Sequence, residues 1–494
     1  MNKQLTTKIM SALLCTGFLV STLTACQAAD SSSQQVSAKE SEAEKTTLSS
    51  ETLTAAENEH TREYYQKQLE TAEQQYNRDT ENEAYALQYA QALFSLGSFD
   101  QAQEIIAPLM NNKQPLPEAS YLSAQIHYLN GNYDTAEELY NGLLEEHSDS
   151  FGQKATVGLQ MVYYQTNQYS KAQELSMEDD DSTKPLLDMM QAFDSGDPYQ
   201  IDWNGKEKTE IPFTITDPLP IIPIEVNGVK MNALIDTGGD NLVIDQKKTA
   251  ELGIDTIAQD TGSFAGGNTA DIGFGKAESL SMGGIDIHNI PVMIGPFDGF
   301  TDAFPDVDNI HAIIGTNVLQ QFIPTMDYTT GQLVLRPRNE VGQSQLKEEQ
   351  KTEEIAEKIP FTLASTHYMF AKGSINGYDG LNMFVDSGLA AEDDAGMILP
   401  EETMDLTDIP MPELEDAVGG GMGGSDYQEA SFDVDSYGLG NLQLKNGRGF
   451  YFTGDTLDMY DDTGFITDAL ISHNYLKQYK WTIDFDAMDM TFSI

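Results

Sequence analysis

Five positions in this chain place an aspartate directly before Thr-Gly or Ser-Gly: Asp194, Asp236, Asp260, Asp386 and Asp462. An aspartate does acid–base work only where it is held dry and rigid, because burial and fixed neighbours move its pKa and aim its oxygens. Most copies of so short a motif are ordinary turns, since Asp and Gly favour turns for local reasons. The element that would hold a working carboxylate is an apolar strand ending in the tight glycine turn. Asp260 follows Ala258-Gln259 and Asp462 follows Tyr460-Asp461, and neither continues such a strand. Asp194 lies beside Asp197-Pro198, as in a domain-boundary turn. Asp236 follows Met231-Asn232-Ala233-Leu234-Ile235, and Asp386 follows Leu381-Asn382-Met383-Phe384-Val385. These two qualify.

The elements around them repeat. Ile224-Glu225-Val226-Asn227-Gly228 precedes the first turn and Gly373-Ser374-Ile375-Asn376-Gly377 the second, so each aspartate is reached through an Asn-Gly hairpin. Farther on, Ile313-Ile314-Gly315-Thr316-Asn317-Val318-Leu319 aligns with Leu470-Ile471-Ser472-His473-Asn474-Tyr475-Leu476. Thr325-Met326-Asp327-Tyr328 then aligns with Thr482-Ile483-Asp484-Phe485. Past Pro198, short β-branched runs alternate with Gly, Asn and Asp turns, the texture of an all-β region. Two β-rich segments, 205–341 and 358–494, flank a charged stretch at 342–357 that reads as a linker, helical or disordered. Duplication explains the pattern more economically than two unrelated β domains.

An apolar strand, Asp-Thr-Gly, and an apolar pair with glycine some seventy residues later resemble the retropepsin-type aspartic peptidases and their bacterial relatives. The block from Ile313 to Tyr328 carries the resemblance best. It covers about 210–340 strongly and 358–494 more weakly, and retropepsin-like lobes stand fused as in pepsins. It implies a bilobal acid-protease barrel in which Asp236 and Asp386 share a proton, activate a water and hydrolyse a peptide or protein substrate. Thr237 and Ser387 would bond across the lobe interface, with Gly238 and Gly388 permitting close approach. Neither metal nor cofactor is required. Flap candidates are Phe264, Gly266 and Gly267 in the first lobe and Gly420 and Gly421 in the second. The second lobe departs from the pattern: Ser472 stands for a supporting glycine, Leu389 for a smaller residue, and Glu392, Asp393 and Asp394 add charge that would raise the dyad's pKa. An inactive peptide-binding scaffold on a degenerate protease fold, and a homodimer of first lobes, are the competing readings.

Residues 59–195 read as helices with an internal repeat. Gly97, Gly131 and Asn167 recur as turn residues, Phe99, Tyr133 and Tyr169 as aromatics, and Ala102, Ala136 and Ala172 as the small residue that lets a second helix pack closely. Spacings of 34 and 36 resemble tetratricopeptide repeats. The whole chain is thus expected to be an α-helical solenoid followed by two all-β lobes. The solenoid is either a docking surface for a protein partner or a spacer. Lys3, Lys8 and an apolar run to about Val20 read as a signal peptide over 1–25, and Leu23-Thr24-Ala25-Cys26 resembles a bacterial lipobox. Lipidation at Cys26 would leave 26–58, poor in large apolar residues, as a tether on the extracytoplasmic face of the membrane. With 27 basic against 79 acidic residues, the formal charge of −52 repels nucleic acid and anionic membranes.

Overall fold

The computed structural model describes residues 61–494 except 112–114, 176–182, 194–195, 265–267, 298–303, 305–306, 392–393, 419–425 and 454–456. Cys26, Asp194, Gly266, Gly267, Glu392, Asp393, Gly420 and Gly421 therefore lie outside the described residues, as do the leader and the whole of the tether.

Among the described residues seven helices come first: α1 (Arg62–Arg78), α2 (Glu83–Ser95), α3 (Phe99–Met110), α4 (Pro117–Leu129), α5 (Tyr133–Gln165), α6 (Tyr169–Glu174) and α7 (Lys184–Gln191). Their starts carry local signals. Thr61 caps α1 by accepting from the Tyr64 amide, Asn82 caps α2, and Pro117 opens α4 where its missing N–H costs nothing. α5 bends at His147, whose φ of −136° and ψ of 30° leave the helical region. The repeated turn residues all adopt left-handed backbone, with φ of 73° at Gly97, 70° at Gly131 and 59° at Asn167. That conformation suits Gly and, among other residues, Asn best. The repeated alanines 102, 136 and 172 are each 0% exposed. They are the close-packing points of three helical hairpins.

The helices do not stand apart from the β region. One core cluster joins Tyr140 and Val162 to Leu234 and Ile313, and another joins Leu93 and Ile106 to Phe370 and Phe384. All three repeat turns abut β-region residues. A methyl at Gly97 would fall 2.2 Å from Asn382 Oδ1, and one at Gly131 would fall 2.9 Å from Met488 Cγ. Asn167 Nδ2 donates to Gln321 Oε1 at 3.0 Å. The turn edge of the repeat is therefore covered by the chain's own lobes.

Beyond Tyr199 the two β lobes share one topology. In the first, strands 285–295, 242–245, 310–314, 229–235, 221–226 and 268–282 lie side by side in that order. In the second, strands 442–452, 397–398, 469–471, 378–385, 368–375 and 426–439 repeat it. The parallel pairs also correspond: 229–235 with 310–314 and 378–385 with 469–471, then 242–245 with 285–295 and 397–398 with 442–452. The Asn-Gly hairpin turns form as the sequence implies, with φ of 47° and 83° at Asn227 and Gly228 and of 50° and 83° at Asn376 and Gly377.

A six-stranded sheet joins the lobes in the order 355–364, 489–493, 480–484, 322–327, 332–337, 209–212. At its centre the closing strands of the two lobes pair antiparallel, with Thr325 opposite Thr482 and Met326 opposite Trp481. The charged stretch from 342 is mostly a helix, Glu340–Gln350, capped by Asn339 and followed by the strand Ile355–Ala364. Its Glu349 pairs with the buried Arg336 and with Lys208, which seats the helix beside the joining sheet.

Candidate active site

Each candidate aspartate sits where a buried strand ends. The strand Val229–Ile235 is held between an antiparallel and a parallel neighbour, as is Tyr378–Val385. Both are flanked on each side, so their last three residues, Ala233-Leu234-Ile235 and Met383-Phe384-Val385, are apolar and buried. The ladder extends into the turns: the Asp236 amide donates to Ile314 O at 3.0 Å and the Asp386 amide to Ile471 O at 2.9 Å. Within each turn the glycine amide returns to the carboxyl, Gly238 N to Asp236 Oδ1 and Gly388 N to Asp386 Oδ1, both at 2.8 Å.

The two turns then lock together. The Thr237 amide donates to Ser387 Oγ at 3.0 Å and the Ser387 amide to Thr237 Oγ1 at 2.9 Å. Each hydroxyl passes its own proton onward, Thr237 to Val385 O at 2.9 Å and Ser387 to Ile235 O at 3.1 Å. The exchange is reciprocal, so each lobe's turn is completed by the other.

This lock brings the carboxyls across the interface. A methyl at Gly238 would fall 2.7 Å from both oxygens of Asp386, and one at Gly388 would fall 2.2 Å from Asp236 Oδ1. Only glycine admits the opposing carboxyl at either place. Asp236, Thr237, Asp386 and Ser387 are all 0% exposed. Burial pushes Asp236 up to about 6, against the pull of the Asp386 hydrogen bond and the glycine amides. Burial and then the charge of Asp236 push Asp386 well above the carboxylate range. One proton is thereby retained between them.

The departures in the second lobe have a structural reason. In the first lobe the Gly315 amide donates to Asn241 O and the Thr316 amide to Gly239 O; in the second, Ser472 donates to Gly396 O and His473 to Leu389 O. The acceptors are two residues apart in one lobe and seven in the other. Gly315 is forced, because a methyl there would fall 2.2 Å from Asp240 O. The longer connection of the second lobe leaves space for a side chain, and Ser472 fills it by donating to Ala395 O at 2.8 Å. Leu389 is fully buried in the cluster that holds α2 to α4. Its size is matched to the helices. Asp394, expected to weigh on the dyad, is an exposed residue 3.8 Å from Lys477.

Of the flap candidates, Phe264 alone lies among the described residues, where it ends the strand 258–264 opposite Asn268. Asp260 lies on the same strand. Asp462 lies on the short helix Tyr460–Thr463, where burial pushes it up to about 7, far in sequence and element from the paired turns.

Several supporting residues escape the sequence reading. Thr316 Oγ1 donates to Thr237 O at 2.8 Å. Asp240, Asn241 and Asn317 form a buried polar group behind the first turn. Thr316 and Asn317 lie in the matched closing block, which was their signal; no comparable signal marks Asp240 and Asn241. Among the described residues no three His, Cys, Asp or Glu side chains are grouped as metal ligands, and no helix is long and apolar enough to cross a membrane.

Residues 222–318 match the family model described as aspartyl protease. Among solved structures, a retropepsin-like aspartic protease from Rickettsia conorii is similar at 19% identity, over 28% of this chain and 94% of that one, with a TM-score of 0.19. No curated protein matches. The chain thus carries an aspartyl-protease-like domain.

Proposed function

We propose that the chain is an aspartic endopeptidase that hydrolyses peptide or protein substrates with Asp236 and Asp386 as the paired acid and base. One observation carries this reading: the two carboxyls are drawn to opposite glycines in one dry site by the reciprocal Thr237–Ser387 bonds. In the singly protonated pair, the ionised carboxylate takes a proton from a water as it attacks the scissile carbonyl. The protonated carboxyl donates to the carbonyl oxygen, and proton transfer to the amine completes cleavage. Thr237, Gly238, Ser387 and Gly388 hold the pair. Against the degenerate-scaffold reading, Ser472 and Leu389 of the second lobe both have packing partners.

The sequence further supports placing this activity on the extracytoplasmic face of a bacterial membrane, held by a lipid on Cys26, with the helices as a tetratricopeptide-like unit open to a protein partner on faces other than the turn edge. Incubating wild type, Asp236→Asn and Asp386→Asn with a mixed peptide library between pH 4 and 8 tests the central claim. Cleavage by wild type that falls by about 10²-fold or more in both variants supports it. An inert wild type, or activity that survives either variant, removes it. Globomycin-sensitive processing and labelling by radioactive palmitate, both lost in Cys26→Ala, test the anchor.

A further inference from the structure

Behind the first active-site turn, a buried polar cluster joins residues of the first lobe to the helical region. Tyr164, near the end of α5, directs its hydroxyl at Asp240 Oδ1 (3.2 Å) and Asn241 Oδ1 (3.0 Å) and accepts from Asn317 Nδ2 at 2.9 Å. Tyr199 donates to Asn241 Oδ1 at 3.0 Å, and Asn317 Nδ2 also reaches Asp240 Oδ1. The backbone of this segment is pinned as well, with Asn317 N donating to Asp240 O at 2.9 Å. All of these residues are buried. The next residue of the same helix turns to the other lobe: Gln165 Nε2 donates to Thr366 O at 2.6 Å, and Tyr128 of α4 donates to Ser365 O at 2.5 Å. Thr366 Oγ1 lies 2.8 Å from His367 Nδ1, and the two residues face Asp240 and the Gly238 backbone. The end of α5 therefore grips both lobes at one point, directly behind the dyad.

A buried hydroxyl is not needed for packing, because phenylalanine fills the same space. Its reason here is direction. Asp240 closes the turn whose Gly238 and Gly239 amides donate to the Asp236 carboxyl. We propose that Tyr164 is a positioning residue of the dyad, which sets the Gly238–Gly239 amides through Asp240 and Asn317 and makes the helical region part of the active site. The kinetic consequence rests on the peptidase reading; the geometric one does not.

The test compares full-length wild type with Tyr164→Phe and, as control, Tyr163→Phe, whose hydroxyl bonds Glu137 on the other side of α5. One readout is kcat and KM on a peptide the wild type cleaves. The other is the titration of the aspartate carboxyl ¹³C resonance that disappears in Asp236→Asn. The titratable groups around the cluster are Tyr128, Tyr164, Tyr169 and Tyr199 from the helical side, with His367 and Asp386 from the second lobe. Tyr164→Phe is expected to lower kcat by about tenfold with KM nearly unchanged, and to move the Asp236 titration by about 0.5 pH unit, while Tyr163→Phe does neither. Unchanged kcat and titration in a folded Tyr164→Phe overturn the proposal. Should that variant not fold, Tyr199→Phe is expected to give a smaller shift of the same resonance, and no shift overturns the proposal. If wild type cleaves nothing, the peptidase reading fails and the titration alone decides this one.

Discussion

Thr325 and Thr482 face one another across the seam between the lobes, their hydroxyl oxygens 2.6 Å apart. They are equivalent residues of the two closing strands, so the local two-fold relation of the lobes passes between them. Arg336 Nη1 donates to Thr325 Oγ1 at 2.8 Å, so Thr325 is tied to both the arginine and the facing threonine. Thr482→Val should cost about 1 kcal/mol. Thr325→Val should cost about 1–3 kcal/mol, since it also strips a buried Arg336 N–H of its acceptor. The double variant should cost less than the sum, because the shared bond is lost only once. Denaturant midpoints of the four proteins check this.

Thr237 and Ser387 each accept and donate across the lobe interface, so the hydroxyl matters and the methyl does not. Thr237→Ser should keep stability and cleavage close to wild type. Thr237→Val should cost about 1–3 kcal/mol by leaving the buried Ser387 amide without its acceptor, and should lower kcat. Equal behaviour of the two variants in thermal unfolding and turnover would contradict the reciprocal lock.

The peptidase rate should depend on pH in a direction set by burial. Asp236 is pushed up to about 6 and Asp386 well above the ordinary range. Below about pH 6 the pair then holds two protons and lacks its base, and at high pH it holds none and lacks its acid. Thus kcat/KM should rise as pH increases through about 6 and fall only at higher pH. An optimum near pH 3–4, typical of unshifted carboxyls, would refute this assignment.

Asp240 gives a separate prediction for stability. Burial pushes its carboxyl up to about 7 in the folded chain, only partly opposed by Tyr164 and Thr366, against about 3.9 when unfolded. Between those values the folded state binds more protons than the unfolded one, so its contribution to stability is fully present below about pH 4 and is lost as pH rises toward 7. Asp240→Asn should flatten that slope and raise the denaturation midpoint at pH 7.5 relative to pH 4.5. A slope identical to wild type would count against it.

Arg62 of α1 clasps Asp468 with two bonds, Nε to Oδ1 at 2.6 Å and Nη2 to Oδ2 at 2.5 Å, and Asp468 also accepts from the Asn382 amide. Arg62→Met leaves that carboxylate buried without its cation and should cost about 3–5 kcal/mol. Adding Asp468→Leu to it should recover part of the loss. Both are read from urea unfolding.

Much of this was legible in the residues, and for physical reasons. An apolar run into Asp-Thr-Gly, an Asn-Gly hairpin before it and a matched closing block are local signals, and each formed where its chemistry required. Gly97, Gly131 and Asn167 were legible for the same reason, since left-handed backbone selects few residues. What was hidden is long-range. Nothing near Ser472 tells that the connection from Leu389 to Gly396 is long enough to give its side chain space. Tyr164 is one more aromatic on a helix until the fold sets Asp240 beside it, and no signal comparable to the closing block marks Asp240. The helices read as a separate solenoid because a repeat shows its own periodicity and not the surface it covers.

The pairing of strand 322–327 with strand 480–484 also determines how the site responds to dilution. Two separate lobes would meet only at concentrations near their dissociation constant, and their activity would fall off below it. Here the partner strand is delivered by the same chain at a high effective concentration. Specific activity should therefore be independent of enzyme concentration, and switching the protein off must come from something other than separation of its halves.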